Sequence, residues 1–419
     1  MKLNKWLLVA GALGLGLRIA LALSIKPVLA SDSLEYHQYS ENLVKEHRYY
    51  IIYMGRQAHL RGHIFYSFRP PGYPFLVATI YKLTGIRPRV VSLVQAFMDF
   101  CSSIFIFLLA RNWLKPRNAF WAFSAAQAHF LYVPMLLSET LFLFLFTFSL
   151  WIFCSRRTDK WLWMILNGLC WGWLILTKPE KVIFVPLLSG YFIWKNYSRN
   201  GLFKGLAWLA IMSAVIAPWL WREKQVHGQW VWISSRGGRT FFEGNYLPIE
   251  MSKVYATAQK AKLDELEMDR LFYKVSFEYL KAHPLQYFKA GIKRAYLLFD
   301  LRTTNWLAQT LFLPMLGSGT WPRQILTYIS LMVFNFYRLV IICGVAGAIL
   351  SWRRLRELAL IYAIPVLLVI FHFAVFIGAS RYLVPAFPSI CIFFALLIEK
   401  IVSRFRPASM PQNGLAGYE

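Results

Sequence analysis

Two carboxylates stand where the chain leaves or enters a long apolar run. Asp32 follows the first such run, Glu35 lies one helical turn later, and Glu139 opens another run after a break at 134–138. A carboxylate beside apolar surface suits general-base chemistry, because partial burial raises its pKa towards the working range. The alternatives are local: Ser31 or Asp32 caps a helix and Glu35 completes a capping box, or Glu139 stabilises a helix N-terminus through the helix dipole.

Four basic residues also lie at the ends of apolar runs: Arg69, Lys178, Arg222 and Arg381. A lipid phosphate lies at this depth, and Arg binds phosphate with a bidentate fork. For any one of these residues alone, snorkelling to the membrane surface is the simpler explanation. Together with the two carboxylates, the four cations favour a site for a charged lipid head group.

Two further charges lie inside apolar runs, Arg18 in the first and Asp99 in the second. Charges inside a membrane are costly and are usually paired. We therefore expect Arg18 and Asp99 to pair as a structural link between two helices. A catalytic role for Asp99 is the alternative.

The remaining reactive side chains match no cofactor motif. The histidines at 37, 47, 59 and 63 do not have zinc-finger spacing, so metal dependence is left open. The five cysteines all lie in apolar runs without a CxxC pair, which disfavours disulfides and thiolate metal sites. The sequence also lacks a Walker motif, so a transferase of this kind would need an energy source built into its donor.

The elements that must position these residues are membrane helices. Of the 419 residues, 58% are apolar and only 16% are charged, and the apolar residues come in runs. The net charge of +26 is spread over many short loops, which favours membrane lipids over nucleic acid as the partner.

The apolar runs predict an all-α integral membrane protein with about ten transmembrane helices. A cleaved signal peptide is the rival interpretation of the first run, and Arg18 disfavours it. The predicted spans are 6–25, 90–110, 119–133, 139–154, 161–177, 179–194, 205–221, 325–350, 358–377 and 383–398.

Basic clusters assign the two sides of the membrane. Those at 111–117, 156–160 and 195–204 follow alternate spans, as expected of cytoplasmic loops. Both termini are then cytoplasmic, and Asp32, Glu139 and the four cations face outward. The segment 74–85 is too short to span comfortably, so we expect it to be interfacial or re-entrant. If it spanned, Glu139 would leave the site.

These sides divide the chain into four predicted regions. An N-terminal transmembrane module covers 1–221 and contains a catalytic first outer loop at 27–72. An outer loop region covers 222–322, with helical spacing over 256–282. C-terminal transmembrane helices cover 323–406, and 407–419 form a disordered tail.

Several motifs resemble the GT-C glycosyltransferases. They are Asp32 with Tyr36 and the run Tyr39–Leu43, Arg69-Pro-Pro-Gly-Tyr-Pro74, Leu137-Ser-Glu-Thr-Leu-Phe142, Pro218-Trp-Leu-Trp-Arg222 and Arg381-Tyr-Leu-Val-Pro385. The most similar branch is the bacterial and archaeal one related to protein O-mannosyltransferases and to the lipid A aminoarabinose transferase. It is glycosyltransferase family 39-like.

The resemblance implies a GT-C-like helical bundle with two larger outer loops, and an enzyme of a prokaryotic inner membrane with its active site on the outer face. The donor would be a hexose or pentose on a polyprenyl phosphate, transferred to a lipid, glycan or protein by inverting displacement. Asp32 would be the base, Arg381 would hold the leaving phosphate, and Glu139 would support the site, in some relatives through a divalent metal ion.

The expected donor-phosphate ligands are Arg381, Tyr382, Arg69, Lys178 and Arg222. The expected substrate-loop residues are Glu35, Tyr36, His59 and Tyr73. The sequence departs from the protein O-mannosyltransferases in having Ser33 rather than Glu after Asp32, and in lacking their large sugar-binding insert. A protein acceptor is therefore less favoured.

Two other classes fit parts of this pattern. A transporter or flippase of a lipid-linked sugar would use the same cations, but it should show internal repeats and charges along a midplane path. A non-catalytic envelope scaffold would need none of this chemistry. Replacing Asp32 by Asn distinguishes a transferase from these two classes, because only the transferase should lose its activity.

Overall fold

The computed structural model describes residues 5–27, 29, 31–54, 61–195, 199–300 and 323–405. The N-terminal part contains helices α1 (Lys5–Ser24), α2 (Asp32–Lys45), α3 (Gly72–Thr84), α4 (Pro88–Ala110), α5 (Pro116–Ala126), α6 (Glu139–Cys154), α7 (Trp161–Thr177), α8 (Phe184–Lys195) and α9 (Arg199–His227). Short 3₁₀ helices lie at Gln127–Tyr132, Arg156–Asp159 and Pro179–Ile183. Strands β1 (Ile51–Ile52) and β2 (Ile64–Phe65) pair antiparallel, with Ile51 opposite Phe65.

The C-terminal part is also helical. It contains α10 (Gly237–Gly244), α11 (Met251–Lys260), α12 (Glu265–Ala282), α13 (Pro284–Leu298), α14 (Arg323–Leu350), α15 (Ala359–Ala374) and α16 (Phe387–Arg404). Further 3₁₀ turns lie at Trp352–Arg354 and Ser380–Ala386. The helices predicted within 256–282 are therefore present as α11 and α12. The predicted tail at 407–419 lies outside the described residues, and the four-region division stays a prediction.

Within the described part of the chain, four helices are long and apolar enough to cross a membrane: Lys5–Ser24, Pro88–Ala110, Asn200–His227 and Ser380–Arg404. Four shorter apolar helices accompany them: Glu139–Cys154, Trp161–Thr177, Asn335–Leu350 and Ala359–Ala374. The all-α membrane fold is thus confirmed, whereas the count of about ten spans stays a prediction. The predicted spans 119–133 and 179–194 are each divided between an α-helix and a 3₁₀ helix.

The loops that carry the basic clusters at 111–117, 156–160 and 195–204, called the basic loops below, lie at one end of the helix bundle. Trp113 Nε1 donates to the Glu357 carbonyl, and Lys195 Nζ donates to the Phe153 carbonyl. Glu139 begins α6 and Cys154 ends it, so the Lys195 contact with Phe153 lies about 24 Å from Glu139 along that helix. The candidate site and the basic loops therefore occupy opposite ends of the helices, as the predicted sidedness requires.

Arg18 and Asp99 form the expected buried pair between α1 and α4. Arg18 Nε donates to Asp99 Oδ2 at 2.7 Å, and both side chains are inaccessible to solvent. The sequence did not indicate two further partners: His129 contacts the other Asp99 oxygen, and Gln127 Oε1 accepts from Arg18 Nη1 at 2.6 Å. The buried charges thus connect α1, α4 and the 3₁₀ helix after α5.

The segment 74–85 forms most of α3 and is not among the apolar helices that could span. Helix α3 begins at Gly72, against the end of α7. A Cβ on Gly72 would lie 2.7 Å from the backbone nitrogen of Thr177. Only a residue without a side chain permits this approach. It fixes the loop that carries Arg69 against the helix end that carries Lys178.

Candidate active site

A cavity of about 540 Å³ lies at the end of the bundle away from the basic loops. It brings together residues that are far apart in the sequence. The predicted site residues among its lining are Asp32, Tyr36, Arg69, Glu139, Lys178, Arg381 and Tyr382. The connections after α1, α5, α7 and α15 all contribute to this cavity, because each of them ends at the same face of the bundle.

Asp32 lies at the centre of a cluster of guanidinium groups. Arg381 Nη1 donates to its Oδ2 at 2.8 Å, and Arg69 Nη2 donates to its Oδ1 at 2.5 Å. Arg236 Nη1 lies 4.0 Å from the same Oδ1. Both carboxylate oxygens are therefore engaged by cations.

The first turn of α2 is built around Arg69. Asp32 and Glu35 both lie in that turn, and Arg69 Nε donates to Glu35 Oε2 at 2.5 Å while its Nη2 reaches Asp32. Ser31 precedes the helix with φ of 51° and makes no side-chain capping bond. The capping-box alternative is therefore wrong: the two carboxylates serve Arg69 instead of the backbone amides.

These cations also correct the expected acidity of Asp32. Burial alone would raise its pKa, but the charges of Arg69, Arg381 and Arg236 lower it well below 3.8. The expectation of a raised pKa considered only burial and is wrong for this arrangement. Asp32 is ionised at neutral pH and is a weak base while all three guanidinium groups face it.

Glu139 and Lys178 form a second pair in the same cavity. Lys178 Nζ donates to Glu139 Oε1 at 3.1 Å, and it lies 5.9 Å from the centre of the Tyr382 ring. Burial would lower the pKa of Lys178, but the charges of Glu139 and Glu180, with smaller contributions from neighbouring tyrosines, together outweigh burial and raise it, so the ammonium stays charged. Tyr36 joins the two pairs, since its hydroxyl donates to Ser138 Oγ at 3.4 Å, beside Glu139.

Arg222 does not fulfil its expected role in phosphate binding. Its guanidinium donates to the carbonyls of Tyr49 and Tyr66, at 2.8 and 3.0 Å, and to Glu223 at 2.7 Å. It does not line the cavity. The reason is that the first outer loop folds back over the end of α9 and leaves carbonyls there that need donors. Arg222 anchors that loop.

Two predicted substrate-loop residues also lie elsewhere. Tyr73 is fully buried, and its hydroxyl donates to Gln95 Oε1 at 2.6 Å, so it packs behind the site. Glu35 is buried against Arg69 and does not line the cavity. Both therefore support the site and do not reach a substrate there. His59 lies outside the described residues.

Arg236 is a further residue of the cavity that the spans and loop ends of the sequence do not predict. It precedes α10, lines the cavity, and has a buried Nη1 without a hydrogen-bond partner. The signal in the sequence was the segment Ser234-Ser235-Arg236-Gly237-Gly238-Arg239 in the second outer loop. Its paired glycines permit close backbone approach, and a Cβ on Gly237 would meet the Tyr273 hydroxyl at 2.4 Å.

The second outer loop is fastened to the first by Glu265. Its carboxylate accepts from the backbone nitrogens of Tyr66 and Ser67, at 2.7 and 3.1 Å, and from the Ser235 hydroxyl. Burial raises the pKa of Glu265 to about 7, although these hydrogen bonds oppose the shift. The same contact therefore sets the position of Arg236 relative to Arg69.

Arg294 fixes the segment that carries Arg381. From α13 it donates to the carbonyls of His372 and Phe373 at the end of α15, at 2.9 and 2.6 Å. It also donates to Asn245 Oδ1 at 2.7 Å. Helix C-terminal carbonyls lack intrahelical donors, and here an outer-loop arginine supplies them.

The carboxylates present do not form a metal site in this arrangement. No group of three or more His, Cys, Asp or Glu side chains suitable for a metal occurs among the residues described. Glu139 is paired with Lys178, and Asp32 with Arg69 and Arg381. A divalent ion would have to displace these cations to reach the carboxylate oxygens.

Residues 68–221 match the family model described as dolichyl-phosphate-mannose-protein mannosyltransferase. No curated protein sequence matches the chain significantly. The match covers the segment from the Arg-Pro-Pro motif to Trp221, which includes Glu139 and Lys178.

Solved structures resemble the whole chain. The apo oligosaccharyltransferase from Archaeoglobus fulgidus aligns at a TM-score of 0.56 with 12% identity, over 96% of this chain and 51% of the archaeal one. The same enzyme tethered to an acceptor peptide gives a TM-score of 0.54. ArnT from Cupriavidus metallidurans bound to undecaprenyl phosphate aligns at 0.44 with 14% identity, over 95% of this chain and 79% of ArnT. The chain spans about half the length of the archaeal enzyme.

Proposed function

We propose that the chain transfers a sugar from a polyprenyl-phosphate donor to an acceptor hydroxyl, because residues 68–221 match the mannosyltransferase family model and the fold resembles that of a membrane oligosaccharyltransferase. The acceptor is a lipid, a glycan or a protein, and the reaction is an inverting displacement. The observation that carries the proposal is the pairing of Asp32 with Arg381 in a cavity at the end opposite the basic loops.

The donor phosphate binds among the cations on the α7 and α15 side of the cavity. Arg381 and Lys178 supply charge, and the Tyr382 hydroxyl accepts from Arg381 Nη2 at 3.1 Å and so orients it. Beside them the wall is apolar, formed by Val182, Ile183, Phe371, Val375, Phe376 and Ile377. A phosphate beside an apolar wall matches the two parts of a polyprenyl phosphate.

The displacement requires a base and a stabilised leaving group. The acceptor oxygen attacks the anomeric carbon, the bond from that carbon to the phosphate oxygen breaks, and its electron pair leaves with the phosphate. Asp32 takes the proton of the attacking hydroxyl. Arg381 and Lys178 stabilise the charge that develops on the phosphate.

Donor binding also activates the base. In the empty site Arg381 is engaged by Asp32, and its charge contributes to the low pKa of that carboxyl. A bound phosphate competes for the same guanidinium and adds negative charge nearby. Both changes raise the pKa of Asp32 towards the working range, so the base becomes stronger when the donor is in place.

The cavity belongs on the non-cytoplasmic face of a prokaryotic inner membrane, with both termini in the cytoplasm. Two observations support this placement. The basic loops are separated from the cavity by the length of a helix, and loops rich in Lys and Arg tend to stay on the cytoplasmic side of the membrane. Membrane lipids surround the bundle.

The test uses the full-length protein in phosphatidylethanolamine and phosphatidylglycerol nanodiscs. Undecaprenyl phosphates bearing mannose, glucose, galactose or aminoarabinose are supplied, and release of undecaprenyl phosphate is measured. Asp32→Asn should slow release about 10²–10⁴-fold, the usual contribution of a general base. Glu278→Gln, an exposed carboxylate in α12, is the control and should be active.

Two results would contradict the proposal. One is an Asp32→Asn variant as active as the wild type. The other is a protein that moves the intact lipid-linked sugar across proteoliposomes without releasing undecaprenyl phosphate, which would identify a flippase.

A further inference from the structure

The cavity has a second wall, formed by the outer segments 230–243 and 266–273. It contributes Trp230, Trp232 and Arg236, together with Asp269, Arg270 and Tyr273 of α12. None of these residues belongs to the donor side described above. They face Asp32 from another direction, so they line the path that remains for the acceptor.

The two carboxylate oxygens of Asp32 face different walls of the cavity. Arg381 contacts Oδ2, whereas Oδ1 is contacted by Arg69 and has Arg236 Nη1 4.0 Å away. In a displacement the attacking hydroxyl approaches the anomeric carbon from the face opposite the leaving phosphate. The unpartnered Nη1 of Arg236 therefore lies where an acceptor oxygen needs a hydrogen-bond donor.

The segment that carries the two indoles is held firmly. Trp219 Nε1 donates to the Ile233 carbonyl at 2.9 Å, and the Ser235 amide donates to the Ser67 carbonyl at 2.8 Å. Ile233 is buried with φ of 58°, a conformation that a β-branched residue adopts only when its surroundings impose it. Yet Trp230 and Trp232 keep 64% and 50% of their surface exposed.

We propose that Trp230, Trp232 and Arg236 form an acceptor subsite for a saccharide, an inference that rests on the proposed transferase function. Indole faces pack against the C–H faces of sugar rings, while the guanidinium donates to ring hydroxyls. Pockets that combine aromatic walls with a few polar groups are typical of small-ligand sites.

Other acceptor classes fit this wall less well. An extended peptide is commonly bound by adding a strand to a sheet edge, and neither β1 nor β2 contributes to the cavity lining. Lipid tails need a continuous hydrocarbon surface, and on this wall the apolar residues Phe241 and Leu266 are interrupted by Arg236, Asp269 and Arg270. The saccharide is either a free glycan or one linked to a lipid, and the test below separates the two.

Binding is tested without the transfer reaction, by saturation-transfer difference NMR on the full-length protein in nanodiscs. The probes are mannotriose, cellotriose and chitotriose, a threonine-rich peptide of similar mass, and each trisaccharide on undecaprenyl diphosphate as competitor. We expect ring-proton signals from a trisaccharide with the wild type and at least a five-fold loss of signal in Trp230→Ala and Trp232→Ala. If a lipid-linked trisaccharide displaces the free one at a lower concentration, the saccharide acceptor is the lipid-linked form.

Trp352→Ala is the matched control. Trp352 is 65% exposed, comparable to Trp230, and it does not line the cavity. If these indoles served only as interfacial anchors, the three tryptophan variants would behave alike, and that result overturns the proposal. Binding of the peptide alone, or of no trisaccharide, also overturns it. Because donor cleavage is measured separately, these failures are distinct from failure of the transferase function.

Discussion

Arg381 Nη1 donates to Asp32 Oδ2 at 2.8 Å, although 349 positions separate the two residues in the chain. The contact joins the residue proposed to hold the leaving phosphate to the residue proposed to take the proton. The two steps of the reaction are therefore electrostatically coupled before any substrate binds.

Replacing Arg381 should change the pH dependence of the reaction. Its charge helps to hold the pKa of Asp32 below 3.8, and the active base is the ionised form. In Arg381→Gln the pKa of Asp32 rises, so the acidic limb of kcat/KM moves to higher pH. Loss of a charge-assisted hydrogen bond to the phosphate, worth about 1.5–3 kcal/mol, should also raise the donor KM roughly 10- to 100-fold.

Arg381→Lys is the matched variant, because it keeps the charge and loses the fork. Its pH profile should stay close to that of the wild type while its donor KM rises. Donor cleavage measured from pH 4 to pH 8 distinguishes the two variants. An unshifted profile for Arg381→Gln would refute the coupling.

Gly72→Ala should damage both stability and donor binding. The added Cβ would lie 2.7 Å from the Thr177 nitrogen and 2.8 Å from the Leu176 carbonyl carbon, and backbone atoms cannot move aside cheaply. Overpacking of this kind costs about 1–3 kcal/mol, and here it also displaces Lys178. Thermal unfolding in detergent and the donor KM measure the two effects.

Gly16→Ala provides the comparison for this substitution. Nothing lies within 4 Å of a Cβ built on Gly16, and Ala favours helix by about 1 kcal/mol relative to Gly. This variant should be as stable as the wild type or slightly more so. Equal losses in both variants would show that the close approach at Gly72 is unimportant.

The buried pair in the membrane bundle should be strongly non-additive. Arg18→Leu leaves Asp99 without its main partner, and Asp99→Leu leaves Arg18 without its own. Each substitution should lower the free energy of unfolding by about 3–5 kcal/mol. The double variant removes both charges and should be more stable than the sum of the single losses predicts. A double-mutant cycle on unfolding measures this, and simple additivity would argue against pairing.

Glu265 should make stability depend on pH. Its pKa is raised to about 7 in the folded protein, so the folded state binds a proton that the unfolded state releases between pH 4.5 and pH 7. Stability is therefore greatest at the acidic end of this window and falls as pH rises through 7. The shift corresponds to a change in the free energy of unfolding on the order of 3 kcal/mol.

Glu265→Gln keeps an acceptor for the Tyr66 and Ser67 amides but cannot ionise. Its thermal stability should vary less between pH 5 and pH 8 than that of the wild type. Glu278→Gln, at an exposed position, should retain the full dependence. The same slope in all three proteins would mean that other groups control it.

Features encoded locally could be predicted from the sequence. Apolar runs and basic clusters gave the membrane class and the opposite placement of the site and the basic loops. Charges inside apolar runs gave the Arg18–Asp99 pair, since an unpaired charge there is too costly. The positions of Asp32, Glu139, Lys178 and Arg381 at run ends were enough to place them in one cavity.

Features that depend on loop packing could not be predicted in this way. Arg222 and Arg236 both lie near the ends of helices at the same side of the bundle. Arg222 nevertheless donates to carbonyls of the first outer loop, whereas Arg236 lines the cavity. The difference arises from how the second outer loop folds onto the first through Glu265. The pKa of Asp32 was mispredicted for the same reason, because it depends on which cations assemble around it.

The long separation between Asp32 and Arg381 has a consequence for biogenesis. During synthesis the N-terminal helices enter the membrane first, and Asp32 and Glu35 can pair at once with Arg69, only 37 and 34 positions away. Arg381 follows α15, and its segment is held by Arg294 from the second outer loop. In a nascent chain Asp32 can therefore pair with Arg69 before Arg381 has been synthesised, so the proposed base and the proposed phosphate ligand meet only late in assembly.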